Sequence, residues 1–145
     1  MAGLSILSRP EFQLATSAAV VFGVQRLVPT FDPTWYKSLK KPTWTPPNYV
    51  FPLVWIPLKA MQSLALMLAW RGGTMTGSSA KYPALAVALT TFGAHLFLGN
   101  WWNVVASAAA FHPLDPRAAT LMLPTLVWVT IAAKLNYDIV QLNKP

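Results

Sequence analysis

The sequence predicts an all-α integral membrane protein, a bundle of four transmembrane helices, and three observations predict it. Charged residues make up only 10% of the chain while hydrophobic ones make up 54%, where an average soluble domain carries about 25% charge. So few ionic groups cannot cover a water-facing surface. The apolar residues fall into long runs, and about 20 apolar residues in a helix cross ~30 Å of hydrocarbon with every backbone group satisfied. The polar and turn-forming residues collect between those runs. The apolar content excludes disorder. The absence of cysteine excludes disulfides, Fe–S clusters and thiolate zinc sites, and 145 residues make a single domain, residues 1–145.

The first span is read at residues 12–29, uncharged until Arg26 and rich in Ala15, Ser17, Ala18, Ala19 and Gly23. The second, 48–70, is interrupted only by Lys59 and carries Pro52 and Pro57. The third, 84–111, has no formal charge; as one straight helix it would measure ~42 Å at ~1.5 Å per residue, enough to cross once with tilt. The fourth, 118–139, holds Lys134 near enough to its end to snorkel. Four crossings place both termini on one face. Residues 1–11 read as a short retained tail, with neither the cleavage site of a signal peptide nor the Arg/Ser-rich character of a transit peptide. The basic residues split between the two faces, Arg9, Arg71, Lys81 and Lys144 against Arg26, Lys37, Lys40, Lys41 and Arg117, so the positive-inside rule sets no orientation. A net charge of +7 spread over membrane-flanking loops suits the lipid bilayer with its anionic headgroups and not nucleic acid.

Between the first two spans, residues 35–55 read WYKSLKKPTWTPPNYVFPLVW. Pro42, Pro46 and Pro47 stiffen this connector, because proline fixes its own φ and restricts the residue before it. Trp35, Tyr36, Trp44 and Tyr49 are amphipathic rings suited to the headgroup layer. They form either an interfacial belt or a rigid aromatic lid over a cavity between helices.

This segment resembles the signature of the TspO/MBR family, the translocator proteins. The matching positions are Trp35-Tyr36, Lys41-Pro42, Trp44-Thr45-Pro46-Pro47 and Trp55. Gly23 to Arg26 is similar to the family's first-helix exit, and Pro124-Thr125-Leu126-Val127-Trp128 with Leu135-Asn136 to its last-helix motif. The resemblance implies a compact bundle of five transmembrane helices, often a homodimer, in a bacterial membrane or an organellar one (mitochondrial or plastid). It implies a pocket closed by the first loop that binds an apolar small molecule: porphyrin, haem or another tetrapyrrole, and in animals a sterol or synthetic drug. The ligand-binding residues implied are Trp35, Tyr36, Trp44, Pro46, Pro47, Trp55, Trp102, Trp128 and Asn136. In some bacterial members the pocket tryptophans matching Trp55 and Trp128 are linked to light-driven porphyrin degradation, and indoles do stack on flat macrocycles.

The middle of the chain departs from that pattern. Leu98-Gly99-Asn100-Trp101-Trp102 is only near the family's third-helix motif, and Lys59 stands where the family has Tyr. One apolar span lies between Lys81 and Arg117 where the family has two. With four helices the first and last run in opposite directions, so Trp55 and Trp128 need not face one cavity. The sequence therefore carries two readings, a TspO-like binding protein and an accessory subunit of a larger membrane complex that has lost the pocket.

Ionisable groups inside spans are costly and are functional candidates. Lys59 is expected to pair with a ligand propionate, a partner's acid or a carbonyl freed by Pro57, or to snorkel. His95 is a candidate metal ligand or an interhelical hydrogen-bonding group. Asn100 and Asn103, three residues apart, are candidate interhelical contacts, and His112 falls in a turn. Lys134-x-x-Tyr137-x-x-Val140 fits a weak sterol-contact pattern. The sequence contains no catalytic triad, paired buried carboxylates, phosphate loop or metal-ligand cluster, so a non-enzymatic protein without a metal is expected.

Overall fold

The computed structural model describes residues 6–24, 27, 32–74, 81–98 and 101–144. Asn100 lies outside them, as does the side chain of Trp101. The described residues form six helices: α1 (Pro10–Val24), α2 (Pro33–Ser38), α3 (Val50–Thr74), α4 (Lys81–Leu98), α5 (Trp101–Phe111) and α6 (Pro116–Leu142). The helix starts follow local chemistry. Asp32 caps α2 by accepting the Thr34 N–H at 2.8 Å, with Pro33 in the first turn. Asp115 caps α6 in the same way through the Arg117 N–H at 2.9 Å, ahead of Pro116. A short acceptor side chain followed by a proline that needs no N–H partner is a strong helix start. The α2 helix inside the first connector was not expected from the sequence.

α3 and α6 are long and apolar enough to cross a membrane. α3 is the hub, packing against α1, α4 and α6, while α5 packs on α4 and α6. The core contains Val21, Leu66, Phe92, Val104, Phe111 and Met122. Fully buried Ala65, Ala69, Ala88 and Ala118 let the helix axes approach closely. Leu53, Ile56, Val87, Phe97 and Val127 point outward and remain more than half exposed, the surface expected of a protein solvated by lipid and not by water.

The third expected span, 84–111, is not one helix. The Phe92 and Phe111 rings lie 5.3 Å apart, whereas one straight helix would separate positions 19 residues apart by ~28 Å. The Asn103 side-chain N–H also reaches back to the Ala94 carbonyl at 3.4 Å. The chain therefore doubles back, and α4 and α5 lie side by side. Hydropathy cannot register this reversal, because no charge or proline marks it in an otherwise apolar stretch.

Two long-range contacts fix the resulting parity. At one end of the bundle Lys40 and Asn143 exchange hydrogen bonds, the Lys40 N–H to Asn143 Oδ1 at 2.9 Å and Asn143 Nδ2 to the Lys40 carbonyl at 2.8 Å. At the other end Gly72 lies against the backbone of Leu114, so closely that a β-carbon there would fall 2.7 Å from the Leu114 carbonyl carbon. The first connector and the end of α6 thus share one face, and the end of α3 shares the other with the 112–115 turn. Besides α2, five helices make up the bundle where four spans were expected, and Asn143 lies on the face of the first connector, where four crossings would have put it on the opposite one.

Candidate ligand cavity beneath the first connector

The end of α6 lies on the same face as the start of α3, and residues of α2 line one cavity with both. Between these elements is a cavity of about 1200 Å³, above the ~300–1,000 Å³ of most small-molecule sites. Its walls are Trp35, Tyr36 and Leu39 from the first connector, Phe51 and Trp55 from α3, and Ala132, Leu135, Asn136, Ile139, Val140 and Asn143 from α6. Helical spacing explains the wall residues. Phe51 and Trp55 are one turn apart on α3, and Ala132, Asn136 and Asn143 follow at i, i+4 and i+11 on a single stripe that continues past the end of α6.

The connector is pinned over the cavity by polar contacts to α6. Besides the Lys40–Asn143 pair, the Trp44 indole N–H donates to Asp138 Oδ2 at 3.1 Å. Asp138 in turn is ion-paired with Lys134 at 2.6 Å, and the Lys134 ammonium lies 5.8 Å from the centre of the Trp44 ring. Within the connector, Lys41 lies 4.5 Å from the centre of the Tyr36 ring. Residues 42–45 form a turn held by Thr45 on the Pro42 carbonyl, and the Pro47 carbonyl accepts the Val50 N–H to begin α3.

A family model, the TspO/MBR family, matches residues 14–109 and 98–142 of this sequence. The chain belongs to the TspO/MBR family. It is 36% identical over 123 residues to a tryptophan-rich sensory protein of Cereibacter sphaeroides, covering 75% of this chain and 77% of that one. It is 32% identical over 131 residues to protein CrtK of Rhodobacter capsulatus, covering 78% and 81%. The translocator protein of Bos taurus is 31% identical over 127 residues, covering 76% and 75%. The chain is accordingly a membrane protein of the translocator type, with relatives in bacteria and in animals.

Set against the TspO/MBR signature, the predicted residues divide. Trp35, Tyr36, Trp55 and Asn136 line the cavity together, whereas Trp128 is not among its lining residues and does not share it with Trp55. Trp128 sits behind the wall, edge-on to Phe51 at 5.9 Å, with its indole nitrogen buried and without a partner. Trp44 belongs to the clamp on Asp138 and does not line the cavity, and Pro46 and Pro47 only shape the connector. Trp102 is 74% exposed on α5 and does not line the cavity.

The polar candidates are buried elsewhere in the bundle. Lys59 is only 5% exposed, so it does not snorkel. Its ammonium donates to the Val21 carbonyl at 3.4 Å and lies 5.9 Å from the centre of the Trp55 ring. Val21 is among the last four residues of α1, whose carbonyls have no partner within the helix. His95 is buried beside Phe92, with Nδ1 unpartnered, and among the described residues no group of three potential ligands could hold a metal ion. Asn103 links α4 to α5, two helices where the sequence was read as one, and His112 is exposed in its turn. Sequence reading missed Phe51, Leu135, Ile139 and Asn143. Stepping by helical turns from Trp55 and Asn136 would have found them.

Proposed function

We propose that the chain is a membrane receptor for a flat apolar small molecule of the tetrapyrrole or sterol type, bound in the cavity between α2, α3 and α6. The observation that carries this is the convergence of Trp35, Tyr36 and Trp55 with Asn136 on a single cavity drawn from three elements. Aromatic faces stack on a flat ligand, and a few amide groups orient it. The role proposed is binding. The other reading, an accessory subunit that has lost the pocket, rested on a missing helix and loses that ground with the reversal between α4 and α5.

The test is a titration of the purified protein in mild detergent with protoporphyrin, followed by tryptophan fluorescence. Saturable quenching is expected. Trp55→Leu should weaken binding about two- to thirteenfold, the worth of roughly 0.5–1.5 kcal/mol of stacking. Trp102→Leu should leave the Kd unchanged. Quenching that does not saturate would overturn the proposal.

A further inference from the structure

We propose that a furrow between α1, α3 and α4 is a site for one phospholipid, whose acyl chain lies in the furrow and whose phosphate is received by Arg71. Among the described residues the furrow shares none with the cavity beneath the first connector, so the inference stands apart from the receptor role. Its volume is about 270 Å³, below the ~300–1,000 Å³ of most sites for compact small molecules. Leu66, Leu85 and Phe92 form a buried floor, while Val20 and Leu89 on the rim stay 42% and 47% exposed. The furrow therefore opens to the surrounding lipid.

Its length fits a lipid of one leaflet. Leu85 lies against Gly73 near the end of α3, and Leu96 marks the far end of the lining on α4. Eleven residues separate the two, ~16 Å along a helix and about half of the ~30 Å hydrocarbon thickness. A furrow that starts near one face and stops near the bilayer centre has the depth of a single acyl chain. Gly93 keeps its inner part open, since it lines the furrow and nothing lies within 4 Å of a β-carbon there.

Two polar groups along this seam lack partners. Ser63 and Ser107 each donate to the carbonyl four residues back, the usual resort of a serine inside a helix. Ser17 does not: it is 1% exposed, lines the furrow, and its Oγ has no partner. Arg71 follows the lining residue Trp70 in the last turn of α3. It forms no ion pair among the described residues, and its buried Nη1 has no hydrogen-bond partner. An unmet buried donor is costly, and a charged one more so. A phospholipid meets both groups, with an ester carbonyl accepting from Ser17 and the phosphate from Arg71, a strong charge-assisted pairing. A sterol or an apolar helix of a second copy brings no anion to Arg71.

Dioleoyl phosphatidylglycerol and dioleoylglycerol share both acyl esters and differ in the phosphate headgroup, so the pair isolates the anion. Both are titrated into the full-length protein, delipidated in uncharged detergent, and bound lipid is counted by native mass spectrometry. One phosphatidylglycerol per chain should bind, about tenfold more tightly than the diacylglycerol. Arg71→Gln should erase that preference, and Ser17→Ala should weaken both lipids about fivefold. Gly93→Leu fills the furrow and should abolish the saturable binding without lowering the melting temperature. Lys40→Gln, on the opposite face, should change neither affinity. Should Gly93→Leu prove less stable, Arg71→Gln decides alone. Equal affinity for the two lipids, a preference that survives Arg71→Gln, or lipids that add without a saturable first one overturns the proposal. So does a dimer that holds no phospholipid and dissociates in Gly93→Leu, which would give the furrow to a second copy. Porphyrin quenching by the unaltered protein is untouched by any of these outcomes.

Discussion

Lys59 owes its place in the bundle to the end of a neighbouring helix. Its ammonium meets the Val21 carbonyl near the C-terminus of α1, where unpaired carbonyls carry the negative end of the helix dipole. All four acids of the chain lie elsewhere, at Glu11, Asp32, Asp115 and Asp138, so this lysine is held by a helix terminus and an indole face instead of a carboxylate. Lys59→Glu should therefore cost about 3 kcal/mol or more, because it sets an unpaired anion against partial negative charge in a dry interior. Lys59→Met, which keeps the volume and removes the charge, should change stability by only about 1 kcal/mol. Thermal unfolding of the two variants in detergent would check the contrast. The sequence marked Lys59 as exceptional but could not name its partner, since a backbone carbonyl contributed by another helix leaves no trace in residue identity. Trp44 was legible as an aromatic of the first connector, and its role was not: only the position of Asp138 makes it a clamp.

At the level of elements, close packing is concentrated where α3 passes the 112–115 turn. Gly72→Ala should lower stability by about 1–3 kcal/mol, because its methyl would meet fixed backbone at Leu114. Gly23→Ala is the matching control. Nothing lies within 4 Å of a β-carbon at that position, and alanine in a helix should stabilise by roughly 0.5–1 kcal/mol. The start of α6 makes a pH prediction. The Arg117 side chain, helped by backbone N–H groups, holds the Asp115 carboxyl below the usual carboxylate range. A lowered pKa contributes stability that is complete above the ordinary value near ~3.9 and is lost as pH falls through the lower folded value. Asp115→Ala should thus cost about 1 kcal/mol of helix-cap stability at neutral pH, and the difference in melting temperature from the unaltered protein should close below about pH 4. The Asp32-Pro33 and Asp115-Pro116 pairs that cap α2 and α6 stand in the sequence but were not read as helix starts. The break between α4 and α5 was not read, although Gly99-Asn100 is a turn-forming pair in an otherwise apolar run; hydropathy averages over such a pair.

For the whole molecule, the number of passes decides which motifs meet. The aromatic signature of residues 35–55 and the Pro124–Asn136 motif were both legible as residues, but their convergence depends on parity, and parity turned on a single reversal that no charge or proline marks. The topology is open to direct measurement because the chain has no cysteine of its own. Single Lys40→Cys and Lys144→Cys variants in oriented vesicles should react with an impermeant maleimide from the same side of the membrane. Lys81→Cys should react from the opposite side. Labelling of positions 40 and 144 from different sides would restore the four-pass arrangement. The ties between Lys40 and Asn143 and between Trp44 and Asp138 also bear on biogenesis. A ribosome releases the lid and the α3 wall early, but the stripe on α6 and the residue that fastens the lid emerge after the other described helices. No ligand can find a finished site on a nascent chain, so loading must follow synthesis, and a product truncated ahead of α6 would insert several helices while having nothing to bind with.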